Sequence, residues 1–447
     1  MIFLRNKTQF LKRVLPITRG IVHRCLKVSA SYCVPLLGAT SFIVLAKAQR
    51  INSGTRGSKR VVYIGSRASL RDIDEIARFC PDIKFYTFER FRFRPVLEHF
   101  FSQQLPTEGA YHHDSNTSHK REALDQFMDA LVVWINKFWR IDALITSNIG
   151  YIDQQAFIAS ARKKGVWSVV LFKEGFCHPA QFLPLYREIK RGQKGNCDLF
   201  LCSAEFISDG FSRLVEEGIV CELNQQSIRV TGIPRLDSYL RERPVSDDVS
   251  LTFFTFNWRN KINVAEISGR QKSEIDTTVS NLYEWLLTFA DDHPNSMIVI
   301  KTKSEVDHAY EEVRRRIQER GRIGDRFNNV VLSSDMDVES LIKRSTKILS
   351  FSSTTLVESL LAGKSIACPD FRRILRQSGW NIFEGFDELV VYPQSYDEFK
   401  NWVRSDQPTS HSQTRREQFI ERYFHNTDGQ AGRRVADEIL RLCDDSP

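Results

Sequence analysis

The first 71 residues contain no aspartate or glutamate; the first acidic side chain is Asp72. That stretch holds 14 lysines and arginines, which leaves 49 basic against 55 acidic residues in the rest of a 447-residue chain of net charge +8. The body is thus mildly acidic and the N-terminal segment strongly basic, an asymmetry that calls for an anionic partner. An anionic membrane surface is the first candidate, because apolar stretches at Ile21–Leu26 and Cys33–Ala48 lie between the basic clusters. No apolar run there is long enough to span a bilayer. Cys33–Ala46 covers 14 residues, short of the roughly 20 required, and Pro35 and Gly38 disfavour a helix. Interfacial anchoring is expected instead. The apolar run starts too late for a cleaved secretory signal, whereas an Arg-rich, acid-poor transit peptide stays open. The structural alternative is a helix pair packed on the first domain with a solvated basic face. Nucleic acid is not an expected partner, since no recognition motif accompanies the charge.

The chain also lacks a CxxC pair. Its nine cysteines form no framework and several sit inside apolar runs, so they read as buried thiols of a reducing compartment, with zinc excluded. Internal repeats and low-complexity tracts are absent. Residues 103–120 carry His112, His113 and His119, but not at the i, i+4 spacing of helical metal ligands, so an exposed loop is expected.

What is present is an alternation of short apolar runs with amphipathic stretches. Strands are expected at 61–65, 83–88, 143–147, 167–172, 198–202 and 228–231. After a charged, proline-containing linker at 241–250, a second series follows at 251–256, 297–301, 329–332, 347–351, 365–369 and 389–392. Helical patterns separate them, and 415–442 reads as one mostly polar helix. Continuous apolar strands between helices indicate parallel, doubly wound sheets. The expected architecture is α/β: a basic extension (1–58), a first Rossmann-like domain (59–240), a second (251–410) across a cleft, and a C-terminal helix (411–447).

Five motifs carry candidate chemistry. Ser352, Ser353, Thr354 and Thr355 form a hydroxyl-rich turn between a buried strand and a helix, where open α/β sheets bind ligands and helix amides favour phosphate. Glu358 would accept from ribose hydroxyls; alternatively Thr355–Glu358 is a capping box. Arg235, in Gly232-Ile-Pro-Arg-Leu-Asp237, either meets a phosphate or pairs with Asp237. Arg259 follows Trp258 past a strand and either grips phosphate bidentately or stacks on that indole. Lys301 and Lys303 follow another buried strand, as anion ligands or solvated lysines. Glu174, before Gly175, is the candidate general base; His178 is the second candidate, with a turn role as the alternative for either.

At these residues the chain resembles the GT-B glycosyltransferase superfamily, and within it bacterial surface-carbohydrate biosynthesis proteins and CDP-glycerol glycerophosphotransferases. Gly232-Ile-Pro-Arg-Leu-Asp237 resembles their Gly-x-Pro-Arg-x-Asp. Thr255-Phe-Asn-Trp-Arg259 is similar to their Thr-Trp-Arg with two residues intervening. Lys301-Thr-Lys303 stands in the place of a Lys-x-His element, and 335–364 in that of a segment with a Ser-Ser pair and a downstream acid. Glu174-Gly175 replaces their His-Gly, Lys303 a His and Glu358 an Asp, which favours sugar over glycerophosphate transfer. The resemblance implies a nucleotide-sugar bound mainly by the second domain and held by Arg235, Arg259, Lys301, Lys303, Ser352, Ser353, Thr354 and Glu358, and a glycan or lipid-linked acceptor on the first domain. No Asp-x-Asp pair stands in a convincing position, which fits a reaction without metal or other cofactor. The expected location is cytoplasmic, peripheral at the inner face of the membrane. A phosphopolyol transferase, a sugar-nucleotide epimerase and a non-catalytic membrane-associated scaffold are the alternatives.

Overall fold

A computed structural model describes residues 21, 24–52, 59–66, 69–101, 115–241, 248–255, 269–305, 308–320, 328–351, 353–370, 381–405, 413–426 and 428–444. The chain divides into two compact units. The first comprises 1–175, 183–237 and 424–447, the second 176–182 and 238–423.

The first unit is built on a six-stranded sheet of order β2-β1-β3-β4-β6-β8. Its strands are β1 (Lys59–Gly65), β2 (Ile83–Glu89), β3 (Ala143–Thr146), β4 (Trp167–Leu171), β6 (Leu199–Cys202) and β8 (Ile228–Val230). Two short strands, β5 (Gln193–Lys194) and β7 (Val220–Cys221), pair separately. All pairings are parallel. Parallel strands buried on both faces need continuous apolar runs, and β3 and β6 are buried at every residue.

One helical stretch, residues 24–31, and α1 (Pro35–Ala48) precede the sheet. The expectation that Pro35 and Gly38 weaken a helix here is corrected. Pro35 occupies the first helical turn, where its missing N–H costs nothing. Gly38 is where α1 passes other chain segments at close range: a Cβ there would lie 2.6 Å from Ser29 Oγ and 2.9 Å from Leu131 Cδ1. The apolar face of α1 is buried in its own unit, with Phe42 stacked on Phe88 at 4.6 Å between ring centroids and near Phe93, Trp139 and Phe157. Phe88 and Phe93 thus belong to the core. Helices α2 (Leu70–Ala77), α3 (Ser118–Trp139), α4 (Ile152–Lys163) and α5 (Glu205–Glu216) follow. His119 lies in α3, while His112 and His113 are outside the described residues.

The second unit carries a five-stranded parallel sheet of order β11-β10-β9-β12-β13. These strands are β9 (Val249–Phe254), β10 (Ile298–Lys301), β11 (Val330–Ser333), β12 (Ser345–Ser350) and β13 (Ser365–Ala367). Its helices are α6 (Gly269–Asp292), α7 (His308–Arg320), α8 (Val338–Arg344), α9 (Thr354–Leu361), α10 (Tyr396–Arg404) and α11 (Gln413–Phe424). The strand expected at 389–392 is a single-residue bridge, Val391 to Ala367, after a 3-10 turn at Asp387–Leu389. The single C-terminal helix is two. After α11 the chain passes His425 at φ +69°, and α12 (Ala431–Asp444) packs Val435, Ala436 and Ile439 into the core of the first unit.

Candidate active site

Counted along the chain, the second sheet runs 3-2-1-4-5, so strand order reverses between β9 and β12. Ligands of doubly wound sheets bind at the carboxyl ends of the strands flanking such a reversal. There β9 ends at Phe254 and β12 at Ser350, paired in register. The Ser350 hydroxyl donates to Phe254 O at 3.1 Å and lies 3.2 Å from Ser353 Oγ. Ser353 is the N-cap of α9, with extended backbone, but its side chain caps no amide. The first amides of a helix have no partner within it, and the dipole favours an anion at that end.

Thr255 follows β9 directly. Its N–H donates to Lys301 O at 2.9 Å. Its side chain is buried (7% exposed), and its hydroxyl has no hydrogen-bond partner among the described residues. Leaving a buried hydroxyl unpaired costs about 1–3 kcal/mol, so the Thr255 hydroxyl is a candidate to bond a ligand oxygen at this edge.

The expected donor residues fare differently. Ser353 and Thr354 stand at the helix start. Ser352 and Arg259 lie outside the described residues, adjacent in sequence to Ser353 and four residues beyond Thr255. Lys301 is at the same sheet edge but buried (8% exposed), and its ammonium donates to the carbonyls of Thr302 at 2.6 Å and Ser334 at 2.8 Å. Burial lowers its pKa, opposed by the nearby charges of Asp335 and Asp337. It therefore braces the ends of β10 and β11, and Lys303 is the exposed lysine of the pair. The capping box is not formed: with α9 starting at Thr354, Glu358 lies two residues past the position that motif needs. Glu358 is buried and accepts from the Tyr239 hydroxyl at 2.9 Å, so its carboxylate is committed to Tyr239.

In the first unit the strand order 2-1-3-4 places the reversal between β1 and β3. Beyond these ends stand Ser66, the α2 N-cap Ser69, Ser147 and Asn148. Next to them, past β4, come Lys173 and Glu174. Lys173 Nζ donates to Ser66 Oγ at 3.3 Å and to Ser69 Oγ; burial lowers its pKa and Glu174 opposes that shift. Glu174 Oε1 accepts from the Tyr151 hydroxyl at 3.4 Å. The Arg90 guanidinium lies over the Tyr151 ring, 3.6 Å from its centroid, with Nε 3.3 Å from Asp153. Gly175 has φ +106°, a backbone state costly to any other residue, which turns the chain immediately after the carboxylate.

Arg235 has a partner that neither of its expected roles named. Its guanidinium is buried against Asp72, at 3.0 and 3.3 Å from the two carboxylate oxygens, and its N–H donates to the same group at 3.1 Å. Asp237 instead accepts from the N–H groups of Ala431 (3.0 Å) and Gly432 (2.7 Å) at the start of α12. The His178 carbonyl accepts from Gln181 N–H at 2.8 Å, at the start of the helix Pro179–Ile189. Among the described residues no group of three or more His, Cys, Asp or Glu side chains is placed to hold a metal. Lys173, Ser69 and Tyr151 were missed from sequence, and Thr255 was named only as the first residue of the Thr255–Arg259 motif; the carboxyl-end rule, applied to every strand, could have flagged Thr255 and Lys173.

No protein-family model matches the chain, and no curated relative matches it. Solved structures do. A protein assigned as a UDP-N-acetylglucosamine 2-epimerase from Listeria monocytogenes is 11% identical with TM-score 0.52, covering 88% of this chain and 98% of its own. A second UDP-N-acetylglucosamine 2-epimerase is 14% identical with TM-score 0.51, covering 86% and 96%. A wall teichoic acid polymerase is 10% identical with TM-score 0.49, covering 86% and 89%. The first two likenesses establish the fold alone: an α/β chain of the GT-B type, with two Rossmann-like units.

Proposed function

We propose that the chain is a sugar-nucleotide enzyme, and specifically a glycosyltransferase that moves a sugar from a nucleotide-activated donor to a surface-polysaccharide or lipid-linked acceptor. The observation that carries this is the unpartnered Thr255 hydroxyl just past the end of β9, at the sheet edge where β12 leads into α9 through Ser353 and Thr354. That edge offers hydroxyls and helix amides to the donor phosphates, with Arg259 and Ser352 adjoining in sequence. Amide hydrogens and fixed cations aimed at the departing phosphate lower the barrier without reorganising. Glu174, oriented by Tyr151, is assigned to deprotonating the acceptor hydroxyl on the first unit. The names of the two structurally similar epimerases support a UDP-sugar as the first donor to test.

The test is a thermal-shift screen of the full chain against UDP, CMP, CDP, GDP and TDP. At least one should raise Tm, because a ligand that binds only the folded state stabilises it. Thr255→Val should abolish that shift without lowering the ligand-free Tm. Glu174→Gln should keep the shift and lose transfer by roughly 10²–10⁴-fold. Conversion of a UDP-sugar without any acceptor would replace the transferase reading with the epimerase one. No shift with any nucleotide would end both and leave the scaffold.

A further inference from the structure

Helical residues 24–31 and α1 form a hairpin whose turn is set by backbone hydrogen bonds. Val34 N–H donates to Ser29 O at 2.8 Å, and Cys33 N–H to Ala30 O at 3.3 Å, with Cys33 at φ +50°. This is the double bond pattern of a Schellman helix ending. Ser29 Oγ adds a bond to Val34 O at 2.7 Å.

The hairpin turns apolar side chains to both sides. Leu26, Ser29 and Ala30 of the first helix and Ala39, Phe42, Ile43 and Ala46 of α1 are buried. Outward, the first helix shows Ile21, Arg24, Val28 and Tyr32, positions that share one helical stripe. Helix α1 shows Leu36, Thr40, Val44 and Lys47, again one stripe. Eleven large hydrophobic side chains are exposed among the described residues, and six of them (Ile21, Val28, Tyr32, Val34, Leu36 and Val44) fall on this hairpin, Tyr32 at 75%. Isolated exposed hydrophobics need no explanation, but a concentration of them does.

Their placement is ordered. Tyr32, Val34 and Leu36 sit at the tip. Arg24 and Lys47 lie eight and eleven residues back along the two helices, about 12 and 16 Å at 1.5 Å per residue. A tip that enters the acyl boundary would hold these cations at headgroup level, the depth at which interfacial helices sit. No acidic residue precedes Asp72 to repel an anionic surface, and no helix of the described residues is long and apolar enough to cross a membrane.

We infer that this hairpin is a docking element for an anionic phospholipid bilayer, inserted tip-first through Tyr32, Val34 and Leu36 and held by Arg24, Lys27 and Lys47. The fit of charge to an anionic surface and the apolar tip select this occupant. The inference does not depend on the nucleotide site, and its test reads a different quantity.

The test is co-sedimentation of the full chain with phosphatidylcholine vesicles, with and without phosphatidylglycerol. The protein should sediment with the anionic vesicles only, and high salt should release it. A Tyr32→Ser, Val34→Ser, Leu36→Ser variant should lose at least roughly tenfold in partitioning, with Tm and any nucleotide shift unchanged. Cys33 at the tip and Cys221 are both exposed thiols. Anionic vesicles should slow modification of Cys33 by a water-soluble maleimide and leave Cys221 unaffected. Equal binding to both vesicle types, wild-type sedimentation of the triple variant, or Cys33 labelling indifferent to vesicles would each overturn the inference. So would a concentration-dependent dimer lost in the triple variant without vesicle binding, which would assign the face to a second copy.

Discussion

Single residues in this chain often do a different job from the one their neighbours in sequence suggest. Arg235 stands in a motif that invites a phosphate, yet it is enclosed with Asp72, 163 positions earlier. Which loop closes over an arginine is a tertiary fact that spacing does not encode. The pair has a measurable consequence. Asp72→Ala would remove one partner of this buried ion pair at a cost of about 3–5 kcal/mol. Urea unfolding should show the midpoint fall accordingly, and a loss below about 1 kcal/mol would mean that Arg235 is solvated after all. Five of the nine cysteines are buried as expected, while Cys33 and Cys221 are exposed. Burial pushes the thiols of Cys80, Cys177 and Cys202 up to about 12, so they stay protonated at neutral pH, as buried cysteines should.

At the scale of elements, strands were more legible than caps and junctions. Eleven continuous apolar runs became strands within one or two residues of their expected bounds, since parallel strands must be apolar on both faces. The run at 389–392 has the same composition but only one residue, Val391, paired to a strand. Helix α1 was obscured because proline and glycine count against a helix in isolation; at its first turn and at a close crossing each suits it. Gly38 therefore carries a sharp prediction. Gly38→Val should destabilise the fold by about 1–3 kcal/mol through overpacking against Ser29 and Leu131, read as a lower Tm. An unchanged Tm would show that this crossing is looser than the 2.6 Å approach implies. The break before helix α12 and its docking on the first unit were hidden for another reason. Its many charges mask a stripe of Ala431, Val435, Ala436 and Ile439, and the acceptor for its first amides, Asp237, is 194 positions away in sequence.

For the whole molecule, charge and sheet class could be read early, whereas strand order and the site could not. Two parallel sheets follow from apolar runs alternating with helices. Their orders, 2-1-3-4 and 3-2-1-4-5, depend on pairings between distant segments, and only those orders locate the reversals where Thr255 and Ser66 stand. The same orders make the proposed division of labour testable by hydrogen exchange. A bare nucleoside diphosphate carries the phosphates but no sugar to transfer, so its contacts should fall on the second unit. Bound UDP, or whichever nucleotide raises Tm, should slow exchange at Thr255 and in the first turn of α9. Amides following β1 and β4, at Ser66 and Glu174, should exchange as in the free protein. At a hundredfold excess over Kd the stabilisation is about 2.7 kcal/mol, equivalent to roughly hundredfold slower exchange for amides that open only on global unfolding. Amides that open locally should therefore separate the two sheets cleanly. Protection confined to the β1 and β4 loops would move the phosphate site to the first unit and refute the assignment of Thr255.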